Sequence, residues 1–181
     1  ISNKIYSQSD NEEAIINSIN NVIKSQYGQY YDTYVFFADS LMGKDKGFLY
    51  KFEDLNNSLK NCVIFVSENI NLNDSTPYDS TIFGIYRNGN ILWNTGPVIF
   101  GGNPELDLIK DINLDSRTDI LIRFWDYQYT EFMWIFSWNG NNAEIINDID
   151  PWEWVYSDPR SVIQGALNSF YIVDYEYDGI L

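Results

Sequence analysis

The sequence predicts a mainly β fold with one helix near its N-terminus, assembled from repeated units of antiparallel strands. Aromatic residues make up 17% of the chain, with 14 Tyr and 6 Trp, and such residues favour the pleated, half-buried surface of a sheet. Short apolar runs alternate with turns that contain Gly and Asn. An Asp-rich loop recurs directly beside these runs. Together the three observations indicate a fold built from repeated β units.

The helix is predicted over residues 10–25. Asp10 or Asn11 can cap its first turn, and the acidic residues that follow complement the helix dipole. Four apolar side chains share one face at helical spacing, namely Ile15, Ile19, Val22 and Ile23. Gly28 marks the end of the helix. We expect this helix to pack through its apolar face.

Strands are predicted where apolar runs lie between turns. These runs are residues 34–37, 48–52, 62–66, 81–86, 91–93, 120–125, 132–138, 143–146 and 170–173, with a further short strand at 97–100. Asn88-Gly89 and Asn139-Gly140 each separate two apolar runs, which is the strongest short-range signal for a β-hairpin.

The loop that begins at Asp111 carries oxygen-bearing side chains at relative positions 1, 3, 5 and 9, and a strand follows at once. The side chains are those of Asp111, Asn113, Asp115 and Asp119, and the main-chain carbonyl of Arg117 supplies a further oxygen. Ca²⁺ takes six to eight oxygen ligands and tolerates flexible geometry. Three neighbouring carboxylates repel one another without a cation, so we expect binding to stiffen the loop. The alternative is a solvated Asp/Asn turn.

Two other stretches resemble this loop. One begins at Asp54 and precedes strand 62–66, and the other begins at Asp174 and follows strand 170–173. The first two loops are each followed by strand, turn, strand, Asn-Gly hairpin and strand. A period of this size with about four strands predicts propeller blades. We expect about two and a half units within 48–181, preceded by the helix and first strand or strands in 1–47, all within one continuous domain.

The Asp-x-Asn-x-Asp-x-x-x-Asp loop that opens a strand resembles the calcium loops of FG-GAP/VCBS-type repeats, the blades of integrin-α-like β-propellers. The Phe-Ser-Trp-Asn-Gly stretch at 136–140 resembles a hairpin common in such blades. Several positions depart from the family pattern: Ser116 stands where the family has Gly, Ser58 replaces the third acid of the Asp54 loop, and Glu176 occupies the second ligand position of the Asp174 loop. The resemblance implies structural calcium sites, with these ligands: Asp111, Asn113, Asp115, Arg117 and Asp119, then Asp174, Glu176 and Asp178.

Composition excludes several classes of function. The formal charge is −15 and histidine is absent, so nucleic acid is not an expected partner. No apolar run is long enough for a membrane span. With one Cys and no His, the chain has no Ser-His or Cys-His pair and no zinc site of the His/Cys kind.

The sequence therefore predicts a non-catalytic, calcium-stabilised binding or scaffold module, whose protein or glycan partner it does not identify. The resemblance implies a secreted, periplasmic or cell-surface location, where calcium is abundant. Two and a half blades do not close a ring, so the alternatives are further chain segments, a degenerate blade within 1–50, self-assembly with other chains, or an open sheet. One alternative is a glycan-binding domain that uses Trp152, Trp154 and Tyr156, since aromatic rings stack on sugars. A second alternative is a carboxylate-dependent hydrolase.

Overall fold

The computed structural model describes residues 8–44, 52–70, 81–98, 102–125 and 131–145. The described residues form two compact units, one within Ile1–Ala38 and Asn61–Phe100 and the other within Asp39–Lys60 and Gly101–Leu181. Each unit contains a four-stranded antiparallel sheet. The predicted mainly β, antiparallel architecture is confirmed, whereas the division into 1–47 and 48–181 stays a prediction. Over the same described ranges, no helix is both long and apolar enough to cross a membrane.

The first unit consists of a helix and a sheet whose strands are neighbours in the order in which they occur along the chain. The elements are α1 (Gln8–Tyr27), β1 (Tyr31–Phe37), β2 (Cys62–Asn69), β3 (Ile82–Arg87) and β4 (Asn90–Asn94). The predicted helix is confirmed, and it ends before Gly28 as expected, but it begins at Gln8, so Asp10 and Asn11 lie inside its first turn and do not cap it. Gly28 adopts a φ of 117°, and its N–H donates to the carbonyl oxygen of Lys24 at 3.2 Å.

Helix α1 packs on one face of this sheet through Ile19 and Ile23, which are fully buried. The sheet contributes Tyr31, Val63, Phe65, Ile82 and Tyr86 to the same core. Val22 lies off this face and is 38% exposed, so the predicted apolar face is narrower than expected. The Thr33 hydroxyl lies 2.6 Å from Asn20 Oδ1 and 2.7 Å from Ser67 Oγ. These bonds fix how the helix sits on β1 and β2.

The second unit contains the other sheet, again with neighbours in chain order. Its strands are β5 (Gly102–Lys110), β6 (Thr118–Trp125), β7 (Glu131–Trp138) and β8 (Ala143–Ile145). One face is mainly apolar, with the buried side chains of Ile109, Ile120 and Phe136 in one cross-strand row. The opposite face carries a smaller cluster of Leu108, Leu121 and Ile135, and Ile112 from the β5–β6 loop packs against it. Two short helical segments complete the described elements, α2 (Ala38–Leu41) and a 3₁₀ turn (Leu55–Asn57).

Strand β5 is the one described strand that the sequence did not predict. Pro104 and Asp107 interrupt its apolar pattern. Proline is tolerated because β5 is an edge strand, whose neighbour in the sheet is β6. The β5–β6 register also shifts between residues 102 and 105 and between residues 106 and 108. Asp107 is 3% exposed and pairs with the guanidinium of Arg123 on the neighbouring strand. The charge inside the strand is thereby matched by a residue distant in sequence.

After the loops that begin at Asp54 and Asp111, the described elements follow in one order: two strands, an Asn-Gly turn and a last strand. Each sheet has in addition a first strand before its loop, β1 or β5, and β5 was not part of the predicted repeat. Asn88 and Gly89 both have positive φ, 52° and 88°, as a two-residue hairpin turn requires. Of the predicted strand 48–52, only Phe52 is described, and it forms an isolated parallel bridge with Ile109. Predicted strand 170–173 lies outside the described residues.

Candidate cation site

The loop between β5 and β6 brings the predicted ligands of its first, third and fifth positions together. Asp111 Oδ1 accepts a hydrogen bond from the Asp115 N–H at 3.1 Å, and Asp111 Oδ2 accepts one from the Ser116 N–H at 3.0 Å. Asn113 Oδ1 also accepts from the Asp115 N–H, at 3.1 Å, and its amide donates to Asp115 Oδ2 at 3.2 Å. Asp115 Oδ1 accepts from the Arg117 N–H at 2.8 Å. The side-chain oxygens of Asp111, Asn113 and Asp115 thus hold the loop backbone through hydrogen bonds from its N–H groups.

Two residues of this loop have left-handed backbone conformations, Leu114 with a φ of 61° and Ser116 with a φ of 69°. Ser116 occupies relative position 6, where calcium loops of the EF-hand type carry glycine because the chain turns sharply. The serine therefore keeps the turn that glycine normally makes, at a conformational cost of about 1–2 kcal/mol.

Asp119 is the deepest of the predicted ligands, with a fully buried side chain at the start of β6. Its Oδ2 accepts a hydrogen bond from the Ile112 N–H at 2.9 Å, so the carboxyl group faces the loop. Its Oδ1 is buried and makes no hydrogen bond. A buried polar atom in this condition costs about 1–3 kcal/mol.

Burial raises the pKa of Asp119 to about 6, and the negative charge of Asp115 adds to the rise. The Ile112 N–H, the nearby Ser137 hydroxyl and the Asn113 N–H oppose it by stabilising the ionised form. The Ser137 hydroxyl is thus close enough to lower the pKa, yet its geometry completes no hydrogen bond to Oδ1. The carboxylate is therefore costly to ionise unless a positive charge joins it.

Arg117 extends its side chain away from the carboxylates toward the last strand. Its guanidinium lies 3.3 Å from a carboxylate oxygen of Glu144 on β8, and both side chains are largely exposed. An exposed pair of this kind contributes little to stability, about 0–1 kcal/mol. The carbonyl of Arg117 as an ion ligand stays a prediction.

Within the described ranges, no three His, Cys, Asp or Glu side chains form a group that could hold a metal ion. In the loop, every carboxylate accepts a backbone N–H through at least one oxygen. Each carboxylate oxygen has two lone pairs, so these bonds leave acceptor capacity for a cation. The oxygen-only donor set and the unpartnered Asp119 Oδ1 fit a hard cation, and binding would require the carboxylates to draw closer together.

The loop that begins at Asp54 uses hydroxyl groups where the β5–β6 loop has acids. Asp54 accepts hydrogen bonds from the Ser58 hydroxyl and the Leu59 N–H, both at 2.8 Å, and the Thr118 hydroxyl lies 3.2 Å from its Oδ1. Thr118 in turn accepts from the Leu55 N–H at 3.0 Å. The Asp54 carboxylate is therefore satisfied by protein groups, and this loop is a structural turn.

Sequence reasoning missed Thr118, which bonds to Asp54, and Ser137, which stands opposite Asp119. Both relationships join residues that are distant in sequence. An Asp-to-Ser spacing of 18 residues within two strands gives no recognisable motif. The remaining predicted site residues lie outside the described part of the chain. They are the second set of metal ligands, Asp174, Glu176 and Asp178, and the predicted glycan-binding residues, Trp152, Trp154 and Tyr156.

Comparison with known proteins adds no relative from which a role could be transferred. No model of a known protein family, no curated protein and no solved structure matches the chain. The similarity to FG-GAP/VCBS-type repeats therefore rests on the residues of the β5–β6 loop and of the hairpin at 136–140.

Proposed function

We propose that the chain is a non-catalytic binding or scaffold module whose β5–β6 loop binds calcium as a structural ion. The observation that carries the proposal is the carboxyl group of Asp119. It is fully buried, it faces a loop with three further oxygen-bearing side chains, and one of its oxygens has no partner. A cation would neutralise this charge and occupy the unpartnered oxygen.

The chemistry of the loop favours calcium over other metals. All side-chain donors are oxygens, from Asp111, Asn113, Asp115 and Asp119. Such hard ligands suit Ca²⁺ and Mg²⁺ rather than zinc or copper, which prefer imidazole and thiolate. Mg²⁺ requires strict octahedral geometry and retains water, whereas Ca²⁺ accepts irregular sets of six to eight oxygens. The unequal depths of Asp119, which is buried, and Asp115, which is exposed, suit the irregular coordination of calcium.

A structural role is favoured by the position of the loop between two paired strands. It connects β5 to β6 at the end of this strand pair where Lys110 stands opposite Asp119. An ion there would fix the positions of the two strand ends relative to each other. An ion that binds only the folded state adds about 2.7 kcal/mol of stability at a concentration 100-fold above its Kd.

The two sheets are compatible with propeller-type blades, which are sheets of four antiparallel strands. Each described sheet has this number of strands in simple sequential order, with an Asp-rich loop before its second strand. Further blades would come from other segments or from other chains. Weak calcium loops function where calcium is millimolar, so the proposed location is secreted, periplasmic or at the cell surface. The proposed partner is a protein or a glycan.

Thermal unfolding in calcium and in excess chelator tests the proposal. Calcium should raise the melting temperature by roughly 5–10 °C, since about 2.7 kcal/mol is available and each kcal/mol corresponds to about 2–4 °C for a chain of this size. Asp115→Ala should abolish the difference. Asp32→Ala, which removes an exposed acid on β1 in the other unit, should preserve it. Coincident wild-type curves in calcium and in chelator would show that the loop is only a solvated turn.

A further inference from the structure

A polar row crosses the second sheet at the end where the β5–β6 loop lies. The strand register places Lys110 opposite Asp119, Asp119 opposite Ser137, and Ser137 opposite Glu144. The two outer residues are charged and exposed. The two inner residues are buried, with Asp119 at 0% and Ser137 at 4% exposure. The centre of the row is therefore a carboxylate and a hydroxyl shielded from water.

Neither of these inner groups is fully satisfied. Asp119 Oδ1 and Ser137 Oγ are both buried and both lack a hydrogen-bond partner. Buried polar groups are nearly always bonded, so two unsatisfied oxygens on directly opposed residues require an explanation. A hydroxyl can donate to a carboxylate oxygen, and the residues already stand opposite each other. A small change in the orientation of either side chain would join them.

Two groups near Asp119 are engaged elsewhere or exposed, and the N–H groups of Ile112 and Asn113 stabilise the ionised carboxylate from the side of the loop. The Ile112 N–H holds the second carboxylate oxygen, Oδ2. The Thr118 hydroxyl is bonded to the Asp54 turn, at 3.0 Å from the Leu55 nitrogen. Ser116 is exposed. Ser137 is therefore the group placed to complete the bonding of Oδ1 from the side of the sheet.

We propose that Ser137 is a positioning residue for the cation site, in that its hydroxyl donates to Asp119 Oδ1 and aims the carboxylate at the bound ion. This inference rests on the proposed calcium role of the loop. The hydroxyl acts through Asp119, and the lone pairs that remain on the carboxylate serve the ion. Removal of a partner that orients a metal-binding side chain typically weakens metal affinity by about 10–100-fold.

The test compares Ser137→Ala with the wild type by calorimetric titration with Ca²⁺ and by thermal unfolding in chelator. The variant should bind Ca²⁺ about 10–100-fold more weakly. Its melting temperature in chelator should equal or exceed that of the wild type, because alanine removes a buried hydroxyl that makes no hydrogen bond. Ser67→Ala is the matched control. It removes a fully buried serine hydroxyl on β2 that lies 2.7 Å from the Thr33 hydroxyl, so it should lower the melting temperature and leave calcium affinity unchanged.

Two results would overturn the inference and leave the proposed function intact. One is a Ser137→Ala variant that binds calcium as tightly as the wild type. The other is a variant that, like Ser67→Ala, melts at a lower temperature in chelator, since that result assigns Ser137 to packing. A wild-type protein that gives no calcium-binding heat and no calcium-dependent melting would overturn both the proposed function and this inference.

Discussion

The indole N–H of Trp138 donates a hydrogen bond to the carbonyl oxygen of Ser58 at 3.3 Å. Trp138 stands opposite Thr118 at the end of the β6–β7 pair, and the Thr118 hydroxyl contacts Asp54 and Ser58. The Asp54 turn is thus bonded to two adjacent residues of the sheet. Trp138 is 1% exposed and Thr118 is 1% exposed, so these bonds are shielded from water.

Thr118→Val should therefore destabilise the second unit by about 1–3 kcal/mol, because valine keeps the shape but leaves the Leu55 N–H and part of the Asp54 carboxylate without a partner. Urea-induced unfolding followed by tryptophan fluorescence measures the change. Calcium affinity should be nearly unaffected, since Thr118 bonds to the Asp54 turn and not to the predicted ligands. An unchanged unfolding midpoint would show that the hydroxyl contributes nothing.

Gly84→Ala should destabilise the first unit by about 1–3 kcal/mol through overpacking. A Cβ at this position would lie 2.3 Å from Cζ of the buried Phe65 ring and 2.8 Å from the carbonyl oxygen of Trp93. Phe65→Leu should recover part of the loss in the double variant, because the shorter side chain frees space opposite residue 84. Equilibrium unfolding of both single variants and the double variant provides the measurement, and additive effects would contradict the contact.

Ser116→Gly should stabilise the loop by up to about 1 kcal/mol. Glycine removes the cost of the left-handed φ of 69°, and its greater freedom in the unfolded chain offsets part of that gain. Ser116→Ala is the matched control, since alanine keeps the Cβ and should give no stabilisation. The measurement is the unfolding midpoint in chelator. Equal effects of the two substitutions would show that backbone strain at this position is not the cause.

Asp119→Asn should stabilise the calcium-free protein at pH 7.5, and the advantage should shrink as the pH falls toward 4. The pKa of Asp119 is about 6 in the folded state, above its ordinary value of 3.8. Between these values the folded state binds more protons than the unfolded state, so wild-type stability from this group falls as pH rises, by up to about 1.4 kcal/mol per pH unit. Above pH 6 the loss is complete.

Urea unfolding of the wild type and Asp119→Asn in chelator, at pH 4.5, 6 and 7.5, measures this dependence. Asp111→Asn serves as the control, because its carboxylate is less buried and is satisfied by two backbone N–H groups. A constant difference between wild type and Asp119→Asn across the pH range would contradict the raised pKa. Calcium should reverse the order of stability at pH 7.5, since asparagine removes a charge that the ion needs.

Local sequence signals were sufficient for the helix and for most strands, because apolar runs and Asn-Gly turns act over a few residues. They failed at β5, where Asp107 is acceptable only because Arg123 on the next strand pairs with it. They predicted Asp119 as a ligand from its spacing in the loop, and that role stays a prediction. They did not reveal that Asp119 is buried opposite Ser137, since that depends on the β6–β7 register. Contacts between residues distant in sequence thus account for strand β5 and for the burial of Asp119, which local patterns do not predict.

The Asp54 and Asp111 turns contain the same kind of hydrogen bond. In each turn the N–H of the residue five positions later, Leu59 or Ser116, donates to the leading carboxylate, at 2.8 Å and 3.0 Å respectively. In the first turn, the hydroxyls of Ser58 and Thr118 complete the carboxylate's bonding. In the second turn, under the proposed role, an ion does so. The bonding of the Asp54 turn would therefore be independent of ions, whereas the bonding of the Asp111 turn would strengthen or weaken with the ion concentration around it. Similar turns would in this way make one part of the module permanent and another responsive to its environment.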